Sequence, residues 1–197
     1  MGGSNGAFEP GTVQVAQPYF ISGTTGVIAA GLAAGAPVAR LAQLGMILPQ
    51  FGPAVQPTPI RISQIRMKLA PQTSPAGGAA FAVYKGLGTP AVGGTGAANH
   101  TPQRRKTTGY PAITAAETVL RVAGTDTLTA AGFTPDDATG PLDMVAVGVA
   151  DPSGALAIWS PADLCGVVLE AGECLEVRSL FVTTGTHIAL FAFDFLR

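Results

Sequence analysis

Two histidines, twelve carboxylates and two cysteines in 197 residues are the raw material for chemistry in this chain. A divalent metal held in a cupin-like barrel needs several inward-facing histidines and a carboxylate. His100 falls in a Gly/Thr/Ala-rich tract and His187 opens an apolar run. Neither has a second histidine at metal-ligand spacing, so both read as solvated or capped, and no metal or cofactor is expected. Nucleophilic catalysis would need Ser, Thr or Cys beside a base, and the chain has neither a Gly-x-Ser-x-Gly elbow nor a Cys-His signature. Cys165 and Cys174 read as reduced packing residues. Two acids facing each other across a groove could hydrolyse glycosides. Glu170, Glu173 and Glu176, however, flank a turn and Asp136 and Asp137 sit in a loop, where solvation accounts for them. The glycines of Gly86-Leu87-Gly88 and Gly93-Gly94-Thr95-Gly96 open no helix and precede no Gly-Lys-Ser/Thr, so they cradle no phosphate. No catalytic residue is expected, and the reading is of a protein that is not an enzyme.

What remains is cationic. Arg104-Arg105-Lys106 is the densest charge on the chain, and Arg61, Arg66 and Lys68 share the polar face of one strand. These six are the candidate contacts for an anion or a partner. With a net charge of -1, the chain lacks the excess of Lys and Arg that nucleic acid or an anionic membrane requires. Neither is expected as a partner.

The elements that must position these residues read as strands. Gly and Pro, 26 and 16 residues, suit many turns between short strands and disfavour helix. Tyr19-Phe20-Ile21 forms a strand before Ser22-Gly23-Thr24-Thr25-Gly26. Pro37-Val38-Ala39-Arg40-Leu41 alternates as a strand, with a helix over Leu32 to Leu44 as the competing assignment. Pro53, Pro57 and Pro59 mark an extended connector. In Ile60 to Leu69 the apolar parity changes between Ile62 and Ile65, which predicts a bulge near Ser63-Gln64. Phe81 to Lys85 is a strand, and Gly86 to Thr108 reads as a long loop. Thr118 to Val122 and Thr127 to Thr129 read as strands around a turn, and Phe133 to Pro141 as a loop. Met144 to Ala150 reads as a central strand, with a turn at Asp151 to Gly154. Ala155 to Ser160 is a strand, and the runs on either side of Glu170-Ala171-Gly172-Glu173 read as a hairpin. Phe191, Phe193 and Phe195 face one side of a last, central strand. The fold class is therefore all-β: a jelly-roll-like antiparallel β-sandwich with an extended N-terminal arm.

Residues 1–17 read as that arm, flexible until it meets a partner, with Phe8, Val13 and Val15 as its contacts; residues 18–197 form a single domain. The N-terminus has neither the basic start nor the apolar run of a signal peptide. Gly26 to Leu48 has the length of a membrane span, but Arg40, Pro37 and several glycines interrupt it. Only 12% of residues are charged and 47% are apolar, with mean hydropathy +0.38. A surface so poor in charge is expected to be covered by association.

Three stretches in order resemble a group of small jelly-roll virion proteins of tailed bacteriophages. They are the strand, Ala-rich turn and strand over Ser22 to Val38, the strand Ile60 to Met67, and Val168 to Arg178 leading into the terminal apolar strand. The likeness spans Pro18 to Arg197 and lies in strand and turn patterns rather than diagnostic side chains. It implies a virion structural protein, as capsid decoration (cement) or as a neck, tail or tail-fibre component. It also implies association as a homotrimer and contact with the major capsid protein or other virion proteins, on a particle assembled in the host cytoplasm. The other reading is a carbohydrate-binding head module, with Tyr84, Tyr110 and Trp159 as the aromatics left to stack on sugars.

Overall fold

Strict alternation in the last strand organises the molecule. β13 (His187–Leu196) turns Phe191, Phe193 and Phe195 inward, all fully buried, while Leu190, Ala192 and Asp194 face out. It pairs along its whole length with β3 (Ile60–Pro71) on one side, and its Leu190–Leu196 stretch with β1 (Pro18–Thr24) on the other. The terminal strand is therefore central, as its aromatic content requires. The computed structural model describes residues 17–27, 39–46, 59–71, 78–90, 97–105, 112–115, 117–124, 128, 133–136, 140–148, 155–160, 164, 166–181 and 187–197.

The six-stranded sheet runs β10 (Ala155–Trp159), β3, β13, β1, β6 (Gln103–Arg104), with β11 (Val168–Leu169) beside the start of β3. The seven-stranded sheet runs β5 (Ala98–His100), β7 (Thr118–Val122), β2 (Ala39–Met46), β12 (Glu173–Phe181), β4 (Gly78–Gly88). β8 (Phe133–Pro135) and β9 (Asp143–Gly148) pair with separate lengths of β4. Every pairing is antiparallel. Among the described residues there is no helix, so none is long and apolar enough to cross a membrane. With β5, β6, β7, β8 and β11 set aside, β1, β2, β3, β4, β9, β10, β12 and β13, numbered in that order, lie in the two sheets as 1-8-3-6 and 2-7-4-5. That order is two Greek keys, the jelly roll. The core fills the space between the sheets: Tyr19 stacked on Phe195 at 5.7 Å, Trp159, Ile60, Ile62, Ile65 and Met67 from one, Leu44, Leu120, Leu175 and Val177 from the other.

Three bulges determine which side chains reach which face. Ile62 pairs with Phe195 and Gln64 with Asp194, which leaves Ser63 as the extra residue. The change of parity read from the sequence is this bulge, and it returns both Ile62 and Ile65 to the core. On β2 the extra residue is Leu41, between Ala42 opposite Val177 and Arg40 opposite Arg178. Leu41 and Ala42 are consequently both buried, and Arg40 emerges on the outer face. Leu180 is the third, on β12.

Several expectations are corrected. Ala39–Met46 is a strand, and the helix assignment fails there. Gly86 to Thr108 is not one loop: it holds the end of β4, then β5 and β6, which extend the two sheets at their β2 and β1 sides. Phe133–Pro135 pairs with β4, whose Gly86 comes so near that a Cβ there would lie 2.1 Å from the Thr134 carbonyl oxygen. β9 is an edge strand rather than a central one, because among the described residues it pairs with β4 alone. The apparent hairpin at Glu170 to Glu173 is a crossover, since β11 pairs with β3 in one sheet and β12 with β2 and β4 in the other. A tight turn does occur there, with Gly172 at φ 87°, a conformation that costs glycine little. Leu128 is buried and donates its N–H to the Arg40 carbonyl.

Gln17, assigned to the arm, exchanges backbone hydrogen bonds with Arg197 at 2.8 and 3.0 Å and so belongs to the sheet. Phe8, Val13 and Val15 lie outside the described residues. So do Lys106, Tyr110, Asp137, Cys165, the Asp151 to Gly154 turn, the Ala-rich stretch 28–38 and most of the proline connector.

Candidate functional site

Register alone gathers the cations of β3 into rows on the outer face of the six-stranded sheet. One row reads Ser22, Ala192, Arg66, Ile158 across β1, β13, β3 and β10; the next reads Thr24, Leu190, Lys68, Leu156. A third holds Gln103, Phe20, Asp194 and Gln64. The first two rows, Ile158 excepted, line an open groove of about 630 Å³. Gln103 and His100 close it on the β1 side.

Asp194, 9% exposed, is the acid of this face. Arg66 Nη2 donates to its Oδ2 at 2.9 Å and Arg105 to its Oδ1, while the Arg105 guanidinium lies 5.4 Å from the centre of the Phe20 ring. One carboxylate thus serves two guanidinium groups, and Lys68 stands exposed two residues along β3. Arg66 Nε is buried and meets no hydrogen-bond partner among the described residues. Arg61 is further along β3, its guanidinium beside Gly166, and Arg104 is exposed on β6. Of the six cations marked in the sequence, the fold brings Arg66, Lys68 and Arg105 together and leaves Arg61 and Arg104 apart.

His100 is not the solvated loop residue that its local sequence suggests. It sits on β5 and reaches across to β1, where a Cβ on Gly23 would come within 2.7 Å of its Nε2. That nitrogen is buried without a hydrogen-bond partner among the described residues. Burial lowers the pKa of His100 from its ordinary value of 6.5, and Arg66 and Lys68, the charged groups of the same groove, are both cations. A depressed pKa contributes stability that is whole above about pH 6.5 and is lost as the pH falls below it, because the unfolded chain takes up the proton more readily. Urea unfolding is therefore expected to show lower stability at about pH 5.5 than at about pH 7.5. In His100→Gln this part of the slope should vanish; an identical slope in the variant would refute the assignment.

The acids near the crossover turn are also corrected. Glu173 bonds Lys85 at 2.8 Å and accepts the Glu170 N–H at 2.8 Å, as a turn acid should. Glu176 is instead fully buried on the outer face of the seven-stranded sheet. It accepts from Arg40 Nε at 3.1 Å, from Arg178 Nε and from Gln43 Nε2. Arg178 covers Tyr84 at 4.1 Å and Phe133 at 5.6 Å. Both oxygens of Glu176 are engaged by groups of its own sheet, which suits a structural clamp rather than an acid or base. Neighbouring Cys174 is free and buried, and burial together with the Glu176 charge pushes its thiol well above its ordinary pKa. It is therefore no nucleophile at neutral pH. At Glu117 burial pushes the carboxyl up, but hydrogen bonds from Thr114 and Arg197 outweigh this and hold it below its ordinary value.

Tyr84 and Trp159, read as possible sugar platforms, are buried at 7% and 0% exposure. Sequence reasoning missed Asp194, Ser22, Thr24 and Gln103. A signal existed for the first: an acid between Phe193 and Phe195 has outward parity on a strand otherwise apolar. The remaining three depend on strand register, which no local pattern reveals. No cluster of metal-ligating side chains occurs among the described residues. Compared with protein-family models, with curated proteins and with solved structures, the chain shows no match to any of them.

Proposed function

We propose that this chain is a non-enzymatic virion structural protein, a capsid decoration or cement protein of a tailed bacteriophage that stabilises the particle by self-association, as a homotrimer, and by docking on neighbouring capsid subunits. One observation carries the self-association. β9 and β10 are the terminal strands of their sheets on the same side of the sandwich, with one flank of each unpaired among the described residues. Beside and along them Leu142, Met144 and Ile158 are 41%, 60% and 45% exposed. Open edges carrying large apolar side chains favour pairing or packing with another chain. The low charge of the whole chain and its resemblance to small jelly-roll virion proteins point the same way.

Sedimentation of the purified chain is expected to show an oligomer. Met144→Asp with Ile158→Asp should raise its dissociation constant about a hundredfold or more, from the loss of a few kcal/mol of apolar burial. Both side chains are exposed, so the variant should remain folded by circular dichroism. A wild-type chain that stays monomeric at every concentration and never joins particles would overturn the proposal.

A further inference from the structure

We infer that the groove between β1 and β10 on the outer face of the six-stranded sheet binds an acidic saccharide, a sugar carrying a carboxylate or sulfate group. Two observations on the groove support an oxyanion there. Its charge is uncompensated among the described residues: Arg66 and the adjacent Arg105 share the carboxylate of Asp194, and Lys68 forms no ion pair there. Two buried nitrogens on its lining, Arg66 Nε and His100 Nε2, have no hydrogen-bond partner among the described residues. An unpaired buried nitrogen costs free energy unless something supplies the missing acceptor, and an oxyanion held by Arg66 and Lys68 supplies it through charge-assisted bonds.

The rest of the lining selects the body that carries the oxyanion. Ser22, Thr24 and Gln103 form one wall of groups that both donate and accept, which matches the hydroxyls of a sugar. Leu190 and Leu156, 40% and 58% exposed, flank Lys68 in register and offer aliphatic surface to the C–H face of a ring. The volume of about 630 Å³ lies within the ~300–1,000 Å³ of ligand pockets. An acidic peptide fits less well. The floor is a sheet face in which β13 and β3 are laddered on both sides, so a peptide strand lying on it would find no main-chain partners there.

The test is calorimetric titration of the full chain at low salt with four probes: a galacturonic acid trimer, a sulfated heparin disaccharide, neutral maltotriose and a hexaglutamate peptide. One or both acidic sugars should bind at one per chain; binding of the galacturonic acid trimer points to carboxylate, and binding of the heparin disaccharide alone, which carries both groups, points to sulfate. Maltotriose and the peptide should bind at least about tenfold more weakly, a difference of about 1.4 kcal/mol. Arg66→Gln and Lys68→Gln should each weaken the acidic sugar about tenfold or more. Arg121→Gln, on the opposite sheet, should leave binding unchanged. Thermal melts of each variant show that it is folded, and Lys68→Gln, which removes no observed ion pair, carries the conclusion if Arg66→Gln does not fold. The inference is overturned by binding of none of the sugars, by maltotriose or the peptide binding as tightly as the acidic sugars, or by unchanged affinity in Lys68→Gln.

Discussion

Replacing Glu176 by alanine is expected to lower the unfolding free energy by about 3–5 kcal/mol, the range found when one member of a buried ion pair is removed. The size follows from what stays behind. Arg40 and Arg178 have side chains only 19% and 10% exposed, and Gln43 is fully buried. With the carboxylate gone, two guanidinium groups and an amide lose the acceptor they share, and Arg178 already holds a buried Nη2 without a partner among the described residues. In a chain of this size the loss should appear as a fall in Tm of roughly 6–20 °C. Glu176→Gln keeps the shape and one acceptor but removes the charge, so it should fall between wild type and alanine. A double-mutant cycle of Glu176 with Arg40 should show strong coupling, because the two share one bond. A loss below about 1 kcal/mol for the alanine variant would mean that water solvates the cluster, contrary to the burial of its carboxylate.

Phe193→Ala is the second large effect, also about 3–5 kcal/mol. Phe193 is fully buried on β13, flanked by Ile65 of β3 and Ile21 of β1, which are themselves fully buried. Neighbours held in continuous ladders on both sides can collapse little into the space, so the cost contains a cavity as well as lost burial. The same substitution at Leu190, on the outward face of the same strand and 40% exposed, should cost within about 0.5 kcal/mol. Denaturant unfolding of the pair is the measurement. Equal losses at the two positions would contradict the alternation on which the core rests.

That alternation is legible in the chain itself, since period-two apolar patterns follow directly from strand geometry. The inward set Phe191, Phe193 and Phe195, the slip in parity at Ser63, and the shared polar face of Arg61, Arg66 and Lys68 are all written in the local order of residues. Low charge, abundant glycine and proline, and frequent turns likewise dictate an all-β sandwich. Other assignments failed for a common reason. Val168–Leu169 and Glu173–Phe181 flank a tight turn in the manner of a hairpin, yet each finds its partners in a different sheet. Met144 to Gly148 has the apolar content of a central strand, but its place at the edge depends on what lies beyond it.

By itself, then, the order of residues determined which segments are extended and which face of each turns inward, because both depend on neighbours one or two positions away. Tertiary structure decided the rest: which strand lies beside which, that a bulge at Leu41 delivers Arg40 to Glu176, and that Asp194 draws in Arg66 and Arg105. Those contacts join residues 136, 128 and 89 positions apart. Pairing over such distances is selected by the packing of both sheets at once, and no local stretch of sequence carries that information.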